Sequence, residues 1–166
     1  MTLNQDLQHQ LTARKFATIV GLAGIAAIHL MDLPGKFTET PYLAWAYMGM
    51  IAAAVALIER IVRNAKPIDF LAAAGLGASV LLGFIVNRAV GMPGAMGDIG
   101  NWFEPLGFLS MFVEGFTIWQ ALSAFGLHPH QLAAPLLEGE DDAGKRGSHG
   151  AAEDRAHADE IGRAHV

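Results

Sequence analysis

Glu114 has more chemistry open to it than any other residue in this sequence. It is the single charged residue in an apolar run from Leu106 to Leu127. It falls about nine residues into that run, roughly 14 Å along a helix and near the midplane of a ~30 Å hydrocarbon core. A carboxylate at that depth costs roughly 2.5–3.5 kcal/mol or more, so it faces an interior and takes a partner or a role. The roles open to it are proton relay, ion ligand or substrate contact. The plainer reading is a protonated acid bonded to Ser79 or Ser110, holding two helices together.

A second group of polar residues brackets the apolar runs. His29 and Asp32 are three apart and share a face if the helix continues that far. Asn87 and Arg88 end a third run, and Asp98, Asn101 and Glu104 precede Pro105, which is placed to open a helix. Arg88 is expected to pair with Asp98 or Glu104. Most of these residues also fit ordinary headgroup-level polarity and helix capping, and His29 alone fits a packed or capped histidine. Together Glu114, His29, Asp32, Asn87, Arg88, Asp98 and Glu104 are the candidate ligand or proton site. Met31, Met92 and Met96, with His29, could offer soft ligands to Cu(I), although methionine is equally a gap filler. No M-x-x-M run supports a copper site, and no metal site is assigned.

No Walker loop, GxSxG, HExxH or paired-carboxylate signature occurs, so no catalytic residue is assigned and the reading leans away from an enzyme. The chain has no cysteine, which removes disulfides, thiolate metal sites and thiol catalysis. His29 is the lone histidine within an apolar run, so a bis-histidine haem pair is absent. The sequence names no cofactor.

These residues sit on a simple framework. Of 166 residues only 16% are charged, against roughly 25% in soluble domains. Four apolar runs, Phe16–Leu30, Tyr42–Ile58, Phe70–Val86 and Leu106–Leu127, lack the polar faces of a soluble bundle. The reading is an all-α integral membrane bundle of four transmembrane helices, about 14–32, 42–63, 69–89 and 104–127. Pro34-Gly35 is read as a turn in the loop 32–42. Residues 1–13 form an N-terminal segment whose first part makes a short surface helix. Residues 128–166, rich in charge, Gly and Ala, read as a disordered tail. Arg14-Lys15 before an apolar run has the form of a signal peptide, but His29-Leu-Met-Asp32 is no cleavage site.

Basic residues set the orientation. Arg14, Lys15, Arg60, Arg63 and Lys66 lie at one end and Lys36 and Arg88 at the other. Both termini are therefore expected in the cytoplasm of a bacterial plasma membrane. Tyr42, Trp45, Trp102 and Phe103 form an interfacial belt on the outer side. No basic patch with interleaved aromatics exists, so nucleic acid is not a partner.

Helix packing in lipid relies on small residues. Gly75, Ser79, Gly83 and Asn87 recur at steps of four. Phe103, Gly107, Ser110, Glu114, Thr117 and Ala121 share a second face, and Gly21 and Gly24 stand ready on the first helix. The third and fourth helices are expected to meet through these stripes. HLMDLPGKFTETPYL and GMPGAMGDIGNWFEPLG resemble segments of small four-helix membrane proteins of high-GC, actinobacterial-type bacteria. That resemblance spans about 14 to 127 and carries no activity with it. The preferred expectation is an outward-facing polar site around Glu114 that binds or translocates a small ligand, ion or proton, in a lone bundle, a homo-oligomer or a larger complex. The alternatives are an accessory subunit of a larger membrane complex and a metal- or haem-binding redox component.

Overall fold

The computed structural model describes residues 3–128. Four helices account for nearly all of them: α1 (Leu3–Glu39), α2 (Pro41–Arg63), α3 (Pro67–Ala89) and α4 (Pro105–His128). A single 3-10 turn, Met96–Asp98, interrupts the α3–α4 loop. All four helices are long and apolar enough to cross a membrane. Phe16, Val20, Trp45, Leu82, Phe112 and Trp119 point outward from the bundle. Side chains of this kind are at home against lipid tails. The tail expected from 128 onward lies outside the described residues apart from His128.

Prolines set three of the four helix starts. Pro41, Pro67 and Pro105 each stand at the first helical position, where the missing N–H costs nothing and φ is already helical. Thr40, held out of the helical conformation ahead of Pro41 (φ −146°, ψ 78°), is the one residue that separates α1 from α2.

The first helix departs from the sequence reading at both ends. It runs without a break through 37 residues, about 55 Å, so the expected short N-terminal helix is its first turns and the expected 32–42 loop is its last. Pro34 lies inside it. The final turn is closed by Thr38 donating to the Gly35 carbonyl (2.8 Å), by the Thr40 amide on the Lys36 carbonyl (2.9 Å) and by the Lys36–Glu39 pair (3.1 Å). Pro-Gly is a turn signal only where the backbone has no better use for its neighbours. Here the next proline, seven residues on, is the one that ends the helix.

The tight packing lies toward the end carrying Arg14 and Arg60. Leu22, Ile61, Phe70, Ala73, Ala121 and Ala124 are buried there. Arg14 donates to Gln120 (2.7 Å) and lies over Trp119, Lys15 donates to the Val62 carbonyl (3.2 Å), and Asp69 holds Arg60 (2.6 Å). The two ring nitrogens of His128 face the carbonyls of Ala124 and Ala65.

Glycines bring α4 against its neighbours. A Cβ at Gly21 would run into Thr117, and one at Gly24 would lie 2.9 Å from Val113 Cγ1. On α3 the close approach is at Gly77, where a Cβ would lie 3.1 Å from Ile118. The expected seam of Gly75, Ser79, Gly83 and Asn87 is not that contact. A Cβ at Gly75 or Gly83 would meet nothing within 4 Å. Two residues of helix turn through about 200°, so the face with Gly77 packs while the Gly75 row does not. On α4 the expected inward face holds from Ser110 through Ala121. Phe103 leaves it, at 82% exposed, because it sits in a turn where helical spacing does not apply.

These contacts predict a sharp contrast between two glycines. Gly21→Val, forced against Thr117, should cost about 1–3 kcal/mol and lower the thermal midpoint of the detergent-solubilised protein, while Gly75→Val leaves it nearly unchanged. Melting followed by size-exclusion chromatography checks both.

Candidate functional site

At the end of the bundle away from the tight core, the four helices part around a cavity of about 500 Å³. All seven candidate residues, Glu114, His29, Asp32, Asn87, Arg88, Asp98 and Glu104, line it. The Ser79–Gly83–Asn87 row of α3 faces the same space, as do Gly107 and Ser110 of α4. The two polar stripes therefore face one another across a cavity rather than in a packed seam.

Glu114 is 0% exposed. Ser110, one turn earlier on α4, donates to its Oε1 at 2.5 Å, and its Oε2 has no partner. Of the two serines expected near it, Ser110 is the one that binds. Ser79 instead donates to the Leu76 carbonyl (2.7 Å).

The mouth is organised by Arg88, at 6% exposed. Its guanidinium meets Asp98 Oδ1 at 3.1 Å, the Asp98 carbonyl at 3.2 Å and Glu104 Oε2 at 3.2 Å. The expected pairing with Asp98 or Glu104 is in fact a pairing with both. Glu104 also accepts from the amides of Leu106 (3.3 Å) and Gly107 (3.0 Å), capping α4. The Gly100 amide returns to the Arg88 carbonyl (2.9 Å), and Gly91 and Gly100, with φ of 86° and 77°, give the loop the left-handed turns it needs. Asn87 donates to Asp98 Oδ2 (2.8 Å). Burial alone would raise the Asp98 pKa, but the Asn87 hydrogen bond and the Arg88 charge outweigh it and hold the carboxyl below its ordinary range.

On α1, His29 Nδ1 lies 2.9 Å from the Ile25 carbonyl, and the Tyr47 ring meets the imidazole edge-on at 4.7 Å. Tyr47 donates to Asp32 at 3.3 Å. Met92 lines the cavity, whereas Met31 and Met96 are 69% and 60% exposed and stand outside it. Among the described residues, no three His, Asp or Glu side chains gather closely enough to hold a metal ion.

Lys36, Glu39 and Tyr47 also line the cavity and were not among the sequence candidates. His29, Asp32, Lys36 and Glu39 follow at steps of three, four and three, which is one helical face. Reading Pro34-Gly35 as a turn hid it. Tyr47 gave no comparable signal, being one hydroxyl in an apolar run. Comparison with protein-family models, curated proteins and solved structures finds no match to this chain.

Arg88→Gln leaves Asp98 and Glu104 unpaired and should cost about 1–3 kcal/mol, seen as a lower melting midpoint and faster proteolysis between residues 91 and 104. Because Asp98 is held low in the folded chain, its stabilising contribution is complete above the ordinary carboxylate pKa of about 3.9. It is lost as pH falls through the depressed value. Hydrogen exchange in the loop should accelerate there, and Asp98→Asn should flatten that response.

Proposed function

We propose that this protein is a bacterial plasma-membrane protein with both termini in the cytoplasm, and that its cavity takes up a small ligand, ion or proton from the outer side. The observation that carries this reading is Glu114: fully buried, on the cavity wall, with Oε2 unpartnered. A buried acceptor left open costs about 1–3 kcal/mol, more when charged, and a cavity that delivers a donor to it removes that cost. The cavity volume falls within the range of small-molecule sites, roughly 300–1,000 Å³.

The orientation rests on the basic residues. Arg14, Lys15, Arg60, Arg63 and Lys66 cluster at the closed end, while Lys36 and Arg88 at the cavity end are both held in ion pairs. The positive-inside rule puts the closed end in the cytoplasm. Glu114 then lies between two regions of different character, with an open cavity above and the packed core below. Contact with Glu114 from outside needs only a turn of its fully buried side chain toward the cavity. Passage to the other side requires the Arg14–Gln120 end to open.

The absence of cysteine makes both halves of this reading testable with single introduced thiols and a carboxyl reagent. A membrane-impermeant maleimide should label Gly97→Cys in intact cells and leave Asn64→Cys unlabelled until the cells are opened; the reverse pattern overturns the orientation. An apolar carbodiimide should modify Glu114, as read by peptide mass, and Gly83→Leu, which fills open cavity space, should slow that modification at least about ten-fold. Modification equally fast in Gly83→Leu would mean that Glu114 is reached by some other route.

A further inference from the structure

The cavity wall also carries information about what fits inside it. Five acids, Asp32, Glu39, Asp98, Glu104 and Glu114, line it with two cations, Lys36 and Arg88, and one imidazole, His29, whose Nδ1 faces the Ile25 carbonyl. Both cations are already engaged, Lys36 by Glu39 and Arg88 by Asp98 and Glu104. Asp32 and Glu114 are left without an ion pair, one near the mouth and one in the depth. An anionic ligand would find both cations already paired and two carboxyl groups, each with a single hydroxyl partner, outside any ion pair.

The unpartnered buried atoms point the same way. On the cavity-lining residues these are Glu114 Oε2, Asn87 Oδ1 and Arg88 Nε. The orientation of the Asn87 amide is fixed by its neighbour: its Nδ2 meets a carboxylate oxygen of Asp98, which in its ionised form can only accept, so Oδ1 must be the end left over. Two of the three open atoms are therefore acceptors, and the deepest of them belongs to a carboxyl group. The cavity asks for a donor.

The remaining walls are apolar. Ile28, Leu43, Met50, Leu76, Val80 and Phe84 line the cavity along with the polar groups. A bare metal ion would need several oxygen ligands within about 2.6 Å. The described residues supply no such cluster, and the space is far larger than an ion.

We infer that the site takes an organic ammonium ion: a protonated amine carrying an apolar body, with its N–H groups on Glu114 Oε2 and its body against the α2 and α3 walls. This rests on the cavity reading above and adds the ligand's chemical class. Asp32 and the paired acids at the mouth favour a cation on the way in, and the ammonium satisfies the open carboxylate oxygen. The Phe84 ring on the wall already carries one cation, the Arg88 guanidinium 5.2 Å from its centroid.

The test uses the full-length chain in lipid nanodiscs, with calorimetric titration of three probes of nearly equal shape: phenethylammonium, phenethyl alcohol and hydrocinnamate. The ammonium should bind roughly ten- to hundred-fold more tightly than the alcohol, the range expected of one charge-assisted hydrogen bond, and the carboxylate should not bind measurably. Glu114→Gln should remove the preference for the ammonium. Gly83→Leu, placed where a side chain meets open space and therefore expected to fold, should weaken binding at least about ten-fold. Equal binding of all three probes, or a preference for the carboxylate, that Gly83→Leu abolishes would overturn the ammonium assignment and leave the cavity reading standing. Ammonium binding unchanged by Gly83→Leu would overturn both. No ammonium binding up to about 10 mM would also overturn the assignment.

Discussion

The outer half of this molecule depends on one guanidinium. Arg88 ends α3, yet it holds Asp98 in the loop and Glu104 at the start of α4, and its own carbonyl takes the Gly100 amide. A buried arginine with fewer partners would be a liability at this depth. With two carboxylates and a backbone oxygen it instead fixes where α4 begins, and the start of α4 decides which of its residues face inward. Glu104, pulled toward Arg88, caps the first turn of α4. Ser110 and Glu114, one turn apart, follow on the inward face of the helix that begins there. The mouth and the deep carboxyl thus share one helix, whose start is held by Arg88 and Glu104 and whose middle is held by its packing on Gly21, Gly24 and Gly77.

Close helix contact and open space alternate along the bundle, and glycine placement decides between them. Where α4 meets Gly21, Gly24 and Gly77, backbones approach and nothing is left over. Where α3 presents Ser79 and Gly83, Ser110 of α4 is also small; nearer the mouth Phe84 reaches across to Gly107, where a Cβ would lie 2.5 Å from its ring. Small residues on one side of a contact bring two helices together. Small residues on both sides, with helices held apart elsewhere, leave a hole.

The membrane class, the four helices and the inward face of α4 were all legible in the sequence, because each rests on a long periodic or compositional signal. The set of polar residues at one end was legible too, since charges are so rare in this chain that their positions stand out. Two things were not. The continuation of α1 through Pro34-Gly35 has one tertiary and one local support: Tyr47 from α2 binds Asp32, and the Lys36–Glu39 pair closes the last turn, so the turn signal loses. The role of the α3 stripe was misjudged for a related reason. A row of small residues has the same spacing whether it faces a partner helix or an empty space, and only the partner's side chains distinguish the two.

The length and continuity of α1 have a mechanical consequence. This single rod touches α4 most closely between Gly21 and Gly24, with Arg14 and Asp32 on opposite sides of that contact at nearly equal distances, each about 13–14 Å away along the axis. A body that rocks on such a fulcrum moves its two ends in opposite directions by similar amounts. Any ångström by which Asp32 swings away from the bundle is then returned, almost in full, as an ångström of approach by Arg14 toward Gln120 and Trp119. Were α1 to tilt there, widening of one vestibule and tightening of the opposite seal would be a single motion, with Tyr47 and the Val62 carbonyl of α2 following its two ends.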